Sequence, residues 1–271
     1  MDDALGDRMK VYENAESDRR LMPLLPALAR IDGRCFSSFT RRMSRPFDER
    51  LSRLMIATTR FLVEETNACV GYTQSDEISL GWLATDPKSE IFFGGRIQKM
   101  VSQLAALATA CFNAWFNEHF PDGYDFKNWP TFDARVWNVP NVDEAANVFL
   151  WRELDATKNS VSMAAREHYS DKQLFGQGRA DQQEMLFQKG VNWNDYPDFF
   201  KRGTYVQRRT VLKKFSTEEL EKLPPLHDAR KNHDLMVERS EYAVLPLPPI
   251  AKVPNRARVL FFGEAPAGEA K

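Results

Sequence analysis

The sequence has few cysteines and histidines, and neither is spaced to hold a metal. Cys35, Cys69 and Cys111 are odd in number and far apart, and no Cys-x-x-Cys occurs. This argues against a disulfide framework or a zinc cluster. Cys69 and Cys111 lie among apolar neighbours and read as buried hydrophobes. His119, His168, His227 and His233 form no i, i+4 pair, which argues against a histidine-based metal site. No apolar run reaches the roughly 18 residues needed to span a bilayer. The first residues, Met1-Asp2-Asp3-Ala4, are acidic rather than apolar. A cytoplasmic protein with no membrane partner is expected. Net charge is lacking too: 37 basic side chains against 38 acidic ones leave −1. Any nucleic-acid binding therefore has to rest on local patches rather than on a global field. There is no internal repeat.

What is present is a core-forming chain of 271 residues with 43% hydrophobic content, enough for one substantial core. Residues 27 to 32 read as a strand entered from Pro26. Asp48 reads as a helix N-cap, followed by an apolar face through Leu51, Leu54, Met55, Thr58, Phe61 and Leu62. Residues 68 to 73 and 78 to 83 read as a hairpin with Gln74-Ser75-Asp76-Glu77 at its tip. Ile97, Met100, Val101, Leu104, Ala108, Cys111, Phe112 and Trp115 mark a second long helix, and residues 131 to 139 a fourth strand. The order β-α-β-β-α-β predicts an α+β, ferredoxin-like fold. Residues 143 to 190 read as mostly helical, and 204 to 212 as a further strand. Beyond about 222, Pro224-Pro225, Pro246, Pro248-Pro249 and Pro254 predict an extended tail that wraps the body or a neighbouring subunit, with 263 to 271 disordered. Three stretches are expected: a catalytic palm over 1–140, a helical RNA-handling extension over 141–222, and the tail over 223–271.

Two carboxylates carry the chemistry. Asp32 ends a strand, and Asp76 sits in the hairpin, so both can meet at one sheet edge. Two such carboxylates suit Mg²⁺, which takes one or two carboxylates plus substrate phosphates. Two metal ions stabilise the attacking and leaving oxygens of a phosphoryl transfer.

The motifs Arg30-Ile31-Asp32-Gly33-Arg34-Cys35-Phe36, Arg45-Pro46-Phe47-Asp48-Glu49-Arg50, Gln74-Ser75-Asp76-Glu77, Arg96-Ile97-Gln98-Lys99 and Phe132-Asp133-Ala134-Arg135-Val136 follow in order. In this the chain resembles the tRNA-His guanylyltransferase family, including its 3′-5′ polymerases, over roughly residues 20 to 210. Weaker echoes are Trp151-Arg152, residues 180 to 184, 191 to 194 and 201 to 204. The resemblance implies a polymerase-type palm and a homo-oligomer, commonly a tetramer. It implies two Mg²⁺ ions held by Asp32, Asp76 and the Gly33 carbonyl. It also implies two steps: activation of an RNA 5′-monophosphate by ATP or GTP, then attack by the 3′-hydroxyl of an incoming GTP. Asp32 to Ser37 (Asp32, Gly33, Arg34, Cys35, Phe36, Ser37) and Ser75 resemble nucleotide-contacting positions. Arg45, Arg96 and Lys99 are expected to neutralise the triphosphate. Glu77 follows the second metal carboxylate or structures the hairpin, and Asp48 is a helix cap or a nucleotide neighbour.

Two departures stand out. Cys35 and Ser37 replace the family's usual Asn and His. After Asp155, Ala156-Thr157-Lys158-Asn159-Ser160 replaces Cys-His-Ile-Asn-Asn, a segment tied to tRNA handling. Lys158, Asn159, Lys201, Arg202, Arg208 and Arg209 are the candidate RNA contacts, the last four within a basic stretch that continues to Lys213 and Lys214 and is equally readable as solvated charge. The expected function is a Mg²⁺-dependent nucleotidyltransferase adding guanylate to the 5′ end of tRNA or tRNA-like RNA. Its alternatives are templated 5′ repair of truncated RNA, a non-catalytic RNA-binding protein on a palm scaffold, or another palm enzyme such as a nucleotidyl cyclase.

Overall fold

A computed structural model describes residues 4–125, 129–232 and 234–268. Six antiparallel strands form one sheet: β1 (Ala27–Arg34), β2 (Val70–Gln74), β3 (Glu77–Trp82), β4 (Thr131–Asn138), β5 (Thr204–Lys214) and β6 (Met236–Leu245). Their order is β4-β1-β3-β2-β5-β6. The helices are α1 (Ala4–Ser17), α2 (Phe36–Phe39), α3 (Glu49–Glu65), α4 (Ile97–His119), α5 (Val142–Arg166), α6 (Asp171–Leu174), α7 (Arg179–Gln188), α8 (Asp198–Arg202), α9 (Thr217–Lys222), α10 (Asp228–Lys231) and α11 (Arg256–Phe262). None of the described helices is long and apolar enough to cross a membrane.

The strands alternate their apolar residues between two faces, as the pleat requires. Ala27, Ala29 and Ile31 of β1 join Ile78, Leu80 and Trp82 of β3 in a core under α3 and α4. Leu28, Val70, Tyr72 and Tyr205 project to the other face, against Phe149 of α5 and Leu260 and Phe261 of α11. The sheet is thus sandwiched between helices, and each fully buried Leu, Ile or Phe stabilises it by roughly 1.5–3 kcal/mol. A long apolar face accounts for α3, and Asp48 caps its N-terminus by accepting from Arg50 N at 3.0 Å. Thr58, Thr59 and Thr66 are buried polar groups whose hydroxyls donate to carbonyls four residues back, so none is left unpaired.

The C-terminal stretch differs from the extended tail expected from its prolines. β6 pairs with β5 along ten residues, from Tyr205↔Leu245 to Lys214↔Met236. Ile250, Val253, Val259 and Leu260 are buried in the second core. Gln207, buried on β5, donates to the Leu260 carbonyl at 2.9 Å. The prolines punctuate this segment rather than extend it: they precede or follow short elements, where a missing N–H is tolerated. The Gly263–Lys271 expectation of disorder falls partly on 269–271, outside the described residues. Within 263–268, Asn255 holds the chain by donating to Ala265 O at 2.9 Å and accepting from Ala267 N at 2.7 Å. Residues from all three expected stretches share the second core.

Candidate active site

β1 and the β2–β3 hairpin bring the two carboxylates together. Asp32 lies opposite Glu77 on β3 and opposite Asp133 on β4. Gln74 pairs with Glu77, leaving Ser75 and Asp76 as a two-residue tip, with Ser75 in the left-handed region at φ 50°. Gly33 N donates to the Asp76 carbonyl at 3.0 Å, which ties that tip to the end of β1. Gly33 is needed for packing: a Cβ there would stand 2.7 Å from Cε2 of the buried Phe36 ring. Asp32 and Asp76 line one cleft of about 400 Å³, together with Asp48, Gln74 and Ser75.

The electrostatics distinguish neighbours. Burial pushes the Asp76 carboxyl above its usual range, and the charge of Asp32 pushes it the same way, against a 3.0 Å hydrogen bond from Ser75 Oγ. Among the described residues neither Asp32 nor Asp76 has an ion-pair partner. A cation between them would favour the ionised form of both carboxylates. Glu77 is also raised by burial, but its carboxylate is clasped by Arg152, at 2.6 Å from Nε and 2.8 Å from Nη2. Arg152 further donates to Asp155 at 3.0 Å and lies 4.6 Å over the Trp151 ring. The structure therefore gives Glu77 a tethering role, holding α5 against the base of the hairpin. For Asp48, burial alone would raise the carboxyl. Hydrogen bonds from Arg50 and from Ser44 N outweigh it and leave it lowered. Asp48 is both helix cap and cleft wall.

Among the described residues no group of three His, Cys, Asp or Glu side chains converges as a metal cluster. The donor set is two carboxylates facing one cleft, which suits a hydrated Mg²⁺ completed by phosphate oxygens.

Other candidates scatter. Phe36 is buried against Phe39, Phe112 and Phe132, so its side chain belongs to the core rather than to a nucleotide. Arg34, Cys35 and Ser37 are exposed. Arg34 and Cys35 line a different cavity. Arg45 is exposed on the loop before Phe47. Arg96 and Lys99 stand at the start of α4, which follows the Ala27↔Trp82 end of the sheet. Asp32 lies five residues further along β1, about 17 Å away along the strand. The turn leading into α4 packs at the Trp82 end of the sheet, away from Asp32.

The cationic stretch is largely spent on internal partners. Lys201 and Arg202 pair with Asp198, at 3.5 and 2.8 Å, and Lys201 donates to Asn194 O at 2.6 Å. Arg208 donates to Asn67 at 2.6 Å and Arg209 to Gln207 at 3.0 Å. Lys213 meets Glu241 at 3.7 Å. Lys158 is exposed on α5, whereas Asn159 lines the cleft and donates to Asp155 at 3.3 Å.

Of the opposite wall the sequence reading singled out only Asn159, as an RNA contact, and Arg152, within a family echo. Arg152, Asp155, Asn159, Ser162, Met163 and Arg166 line the cleft from α5. Their spacing of three and four is a single helix face, a polar stripe visible in the sequence. Phe47, Phe199 and Phe200 add an aromatic edge, with Phe47 and Phe200 centroids 4.7 Å apart. No local signal links Phe47 to α8, because they meet only through the fold.

Comparison with known proteins agrees with this geometry. The profile of the tRNAHis guanylyltransferase family matches residues 6–140. A tRNA(His) guanylyltransferase of Neurospora crassa is 30% identical over 79% of this chain and 78% of its own. The chain belongs to the tRNAHis guanylyltransferase family. A bacterial tRNA(His) guanylyltransferase-like protein solved with ATP is 32% identical, with TM-score 0.76, covering 96% of this chain and 100% of that one. Such a protein solved with GTP is 31% identical, with TM-score 0.68, over 92% and 95%. The α+β fold built on an antiparallel sheet is that of these guanylyltransferase relatives.

Proposed function

We propose that this family member is a Mg²⁺-dependent nucleotidyltransferase that adds guanylate to the 5′ end of tRNA, in the 3′-5′ direction, after activation of the 5′-phosphate by ATP or GTP. The observation that carries the reading is the Asp32–Asp76 pair, unpaired and held at one cleft by the Gly33–Asp76 hydrogen bond. The relatives solved with ATP and with GTP support nucleotides as its substrates. The βαββαβ part is read as a ferredoxin-like palm, and the enzyme as cytoplasmic.

Asp32, Asp76 and the Gly33 carbonyl would hold the Mg²⁺. When bound, it lowers the pKa of an attacking hydroxyl and neutralises triphosphate charge. The chain's own contribution is positioning. Arg152 locks Glu77 and, through it, the hairpin tip beside Asp32. The α5 face closes the cleft opposite, and the Phe47–Phe200 edge offers a stacking surface for a base. No side chain is required as a covalent nucleophile, so orientation and charge neutralisation supply the rate. Arg96 and Lys99 reach a triphosphate only from a neighbouring copy. This favours the homo-oligomer, a tetramer by family resemblance, over a self-sufficient chain.

The test is incubation of 5′-phosphorylated tRNAs with Mg²⁺ and each nucleoside triphosphate, scoring 5′ extension. Extension by guanylate that stops on chelation supports the reading, and no extension of any RNA rejects it. Templated repair is the second reading, favoured by Ala156 and Ser160 lining the cleft where the segment departs from the family. It predicts extension of 5′-truncated RNAs that follows the opposing base.

A further inference from the structure

The loop after Asp32 has a second side that nucleotidyl transfer at the cleft does not use. There a cavity of about 610 Å³ opens between β1, the loop after α2 and the approach to β4. Arg34, Arg41, Arg42, Tyr124, Asp125 and Trp129 line it. In a chain of net charge −1, three arginines face one carboxylate here, and only Arg42 pairs with it, at 3.2 Å. Among the described residues Arg34 and Arg41 have no acidic partner, and both are exposed. Trp129 is 70% exposed, an unusual placement for the largest apolar side chain.

The cavity is held in shape. The Tyr124 hydroxyl accepts from Arg42 N at 3.4 Å and donates to the Phe39 carbonyl. Asn113 donates to Pro130 O at 2.9 Å, next to Trp129. Thr131, two residues past Trp129, pairs with Arg34 in the β1–β4 ladder. Arg34 is two residues beyond Asp32 on the same strand, so the cavity begins about 7 Å from the acid pair.

Guanidinium groups that bind phosphate bidentately, beside a rigid aromatic face, make a surface for unpaired nucleotides. A duplex keeps its bases stacked internally and has no free face to offer Trp129. We infer that this cavity binds a single-stranded segment of the RNA substrate beside the reacting 5′ end, with phosphates on Arg34 and Arg41 and one base stacked on Trp129. The inference rests on the RNA-extending reading above and adds the strand that the cleft itself leaves unbound.

The test uses two 5′-phosphorylated hairpin RNAs with identical stems, one blunt and one with a short 3′ overhang. Their affinities for the full chain are compared by fluorescence anisotropy at fixed salt. The overhang RNA should bind about tenfold tighter. The double variant Arg41→Ala, Trp129→Ala should bind the two RNAs equally. Trp129→Phe, which keeps an aromatic face, should retain most of the preference and thereby report an intact fold. Equal binding of both RNAs by the wild-type chain, or an undiminished preference in the double variant, would overturn the inference. Extension of the blunt hairpin by the wild-type chain reports separately on nucleotidyl transfer. Its absence with the preference intact rejects that reading and leaves the strand site standing.

Discussion

The acid end of the sheet and the basic stretch of β5 look equally charged in sequence, yet the fold treats them in opposite ways. At the acid end Asp32 and Asp76 share a cleft and, among the described residues, neither has an ion-pair partner, while burial raises the Asp76 carboxyl. Along the basic stretch Lys201, Arg202, Arg208 and Lys213 each meet an acid or an amide oxygen. A charge compensated within the chain holds structure together; a charge left uncompensated in a cleft is available to a ligand. Glu77 makes the same point one residue from Asp76, because Arg152 satisfies it.

The comparison breaks most visibly at the acid pair. Asp32→Ala or Asp76→Ala should abolish 5′ extension, removing several kcal/mol of charge stabilisation in the transition state, while thermal melting stays close to wild type. Near-normal turnover in either variant would return these residues to the class of solvated turn carboxylates.

Removing the compensation is the next largest change. Arg152→Ala leaves the buried Glu77 with only the longer Arg30 pair at 3.8 Å, and should cost up to about 3–5 kcal/mol in denaturant unfolding. Arg152→Met combined with Glu77→Gln should recover part of that loss. If the single variant unfolds like wild type, the clasp does not hold the hairpin.

Arg96→Ala and Lys99→Ala should each weaken nucleotide use by roughly 1–3 kcal/mol. Because they lie at the far end of the sheet from Asp32, co-expression of Asp76→Ala chains with Lys99→Ala chains should give more extension at limiting nucleotide than either variant gives alone. Absence of complementation would place the triphosphate entirely within one chain.

A smaller effect comes from pH. The Asp76 carboxyl is raised by burial, so the folded chain binds its proton more readily than the unfolded one. Metal-free stability should fall as pH rises from the usual carboxylate range through the raised value. Asp76→Asn removes that slope, giving a slightly higher melting temperature at neutral pH and no gain in strong acid. Mg²⁺ should raise the wild-type melting temperature and leave Asp76→Asn unmoved.

The smallest effects belong to the basic strand. Arg208→Ala and Lys213→Ala should change stability by less than about 1 kcal/mol and leave the salt dependence of RNA binding as it is. A marked loss of RNA affinity would show that their pairing is exchanged for phosphate.

Much of this was legible beforehand because it is local. The Asp48 cap, the apolar faces of α3 and α4 and the hairpin turning at residues 74 to 77 follow from spacing and turn chemistry. The helix α1 has no buried residue, and without an apolar stripe it left no periodic signal. The tail does lie along the body, but its strand and buried residues were not legible, because proline frequency reports only a missing N–H, not whether neighbouring residues pack. β6 alternates polar and apolar residues weakly, and its partner β5 lies more than twenty residues earlier in the chain.

By itself the sequence determined which carboxylates end strands and turns, which helices face a core, and which family the ordered motifs resemble. All of these are set within a few residues by backbone preference and side-chain period. Only the tertiary structure decided which charges are spent and which stay available. Arg152 reaches Glu77 across 75 positions of sequence, and Arg96 lies at one end of a sheet whose other end carries Asp32. Compensation between charges depends on distance through space and on burial, and both are set when the sheet closes between its two layers of helices.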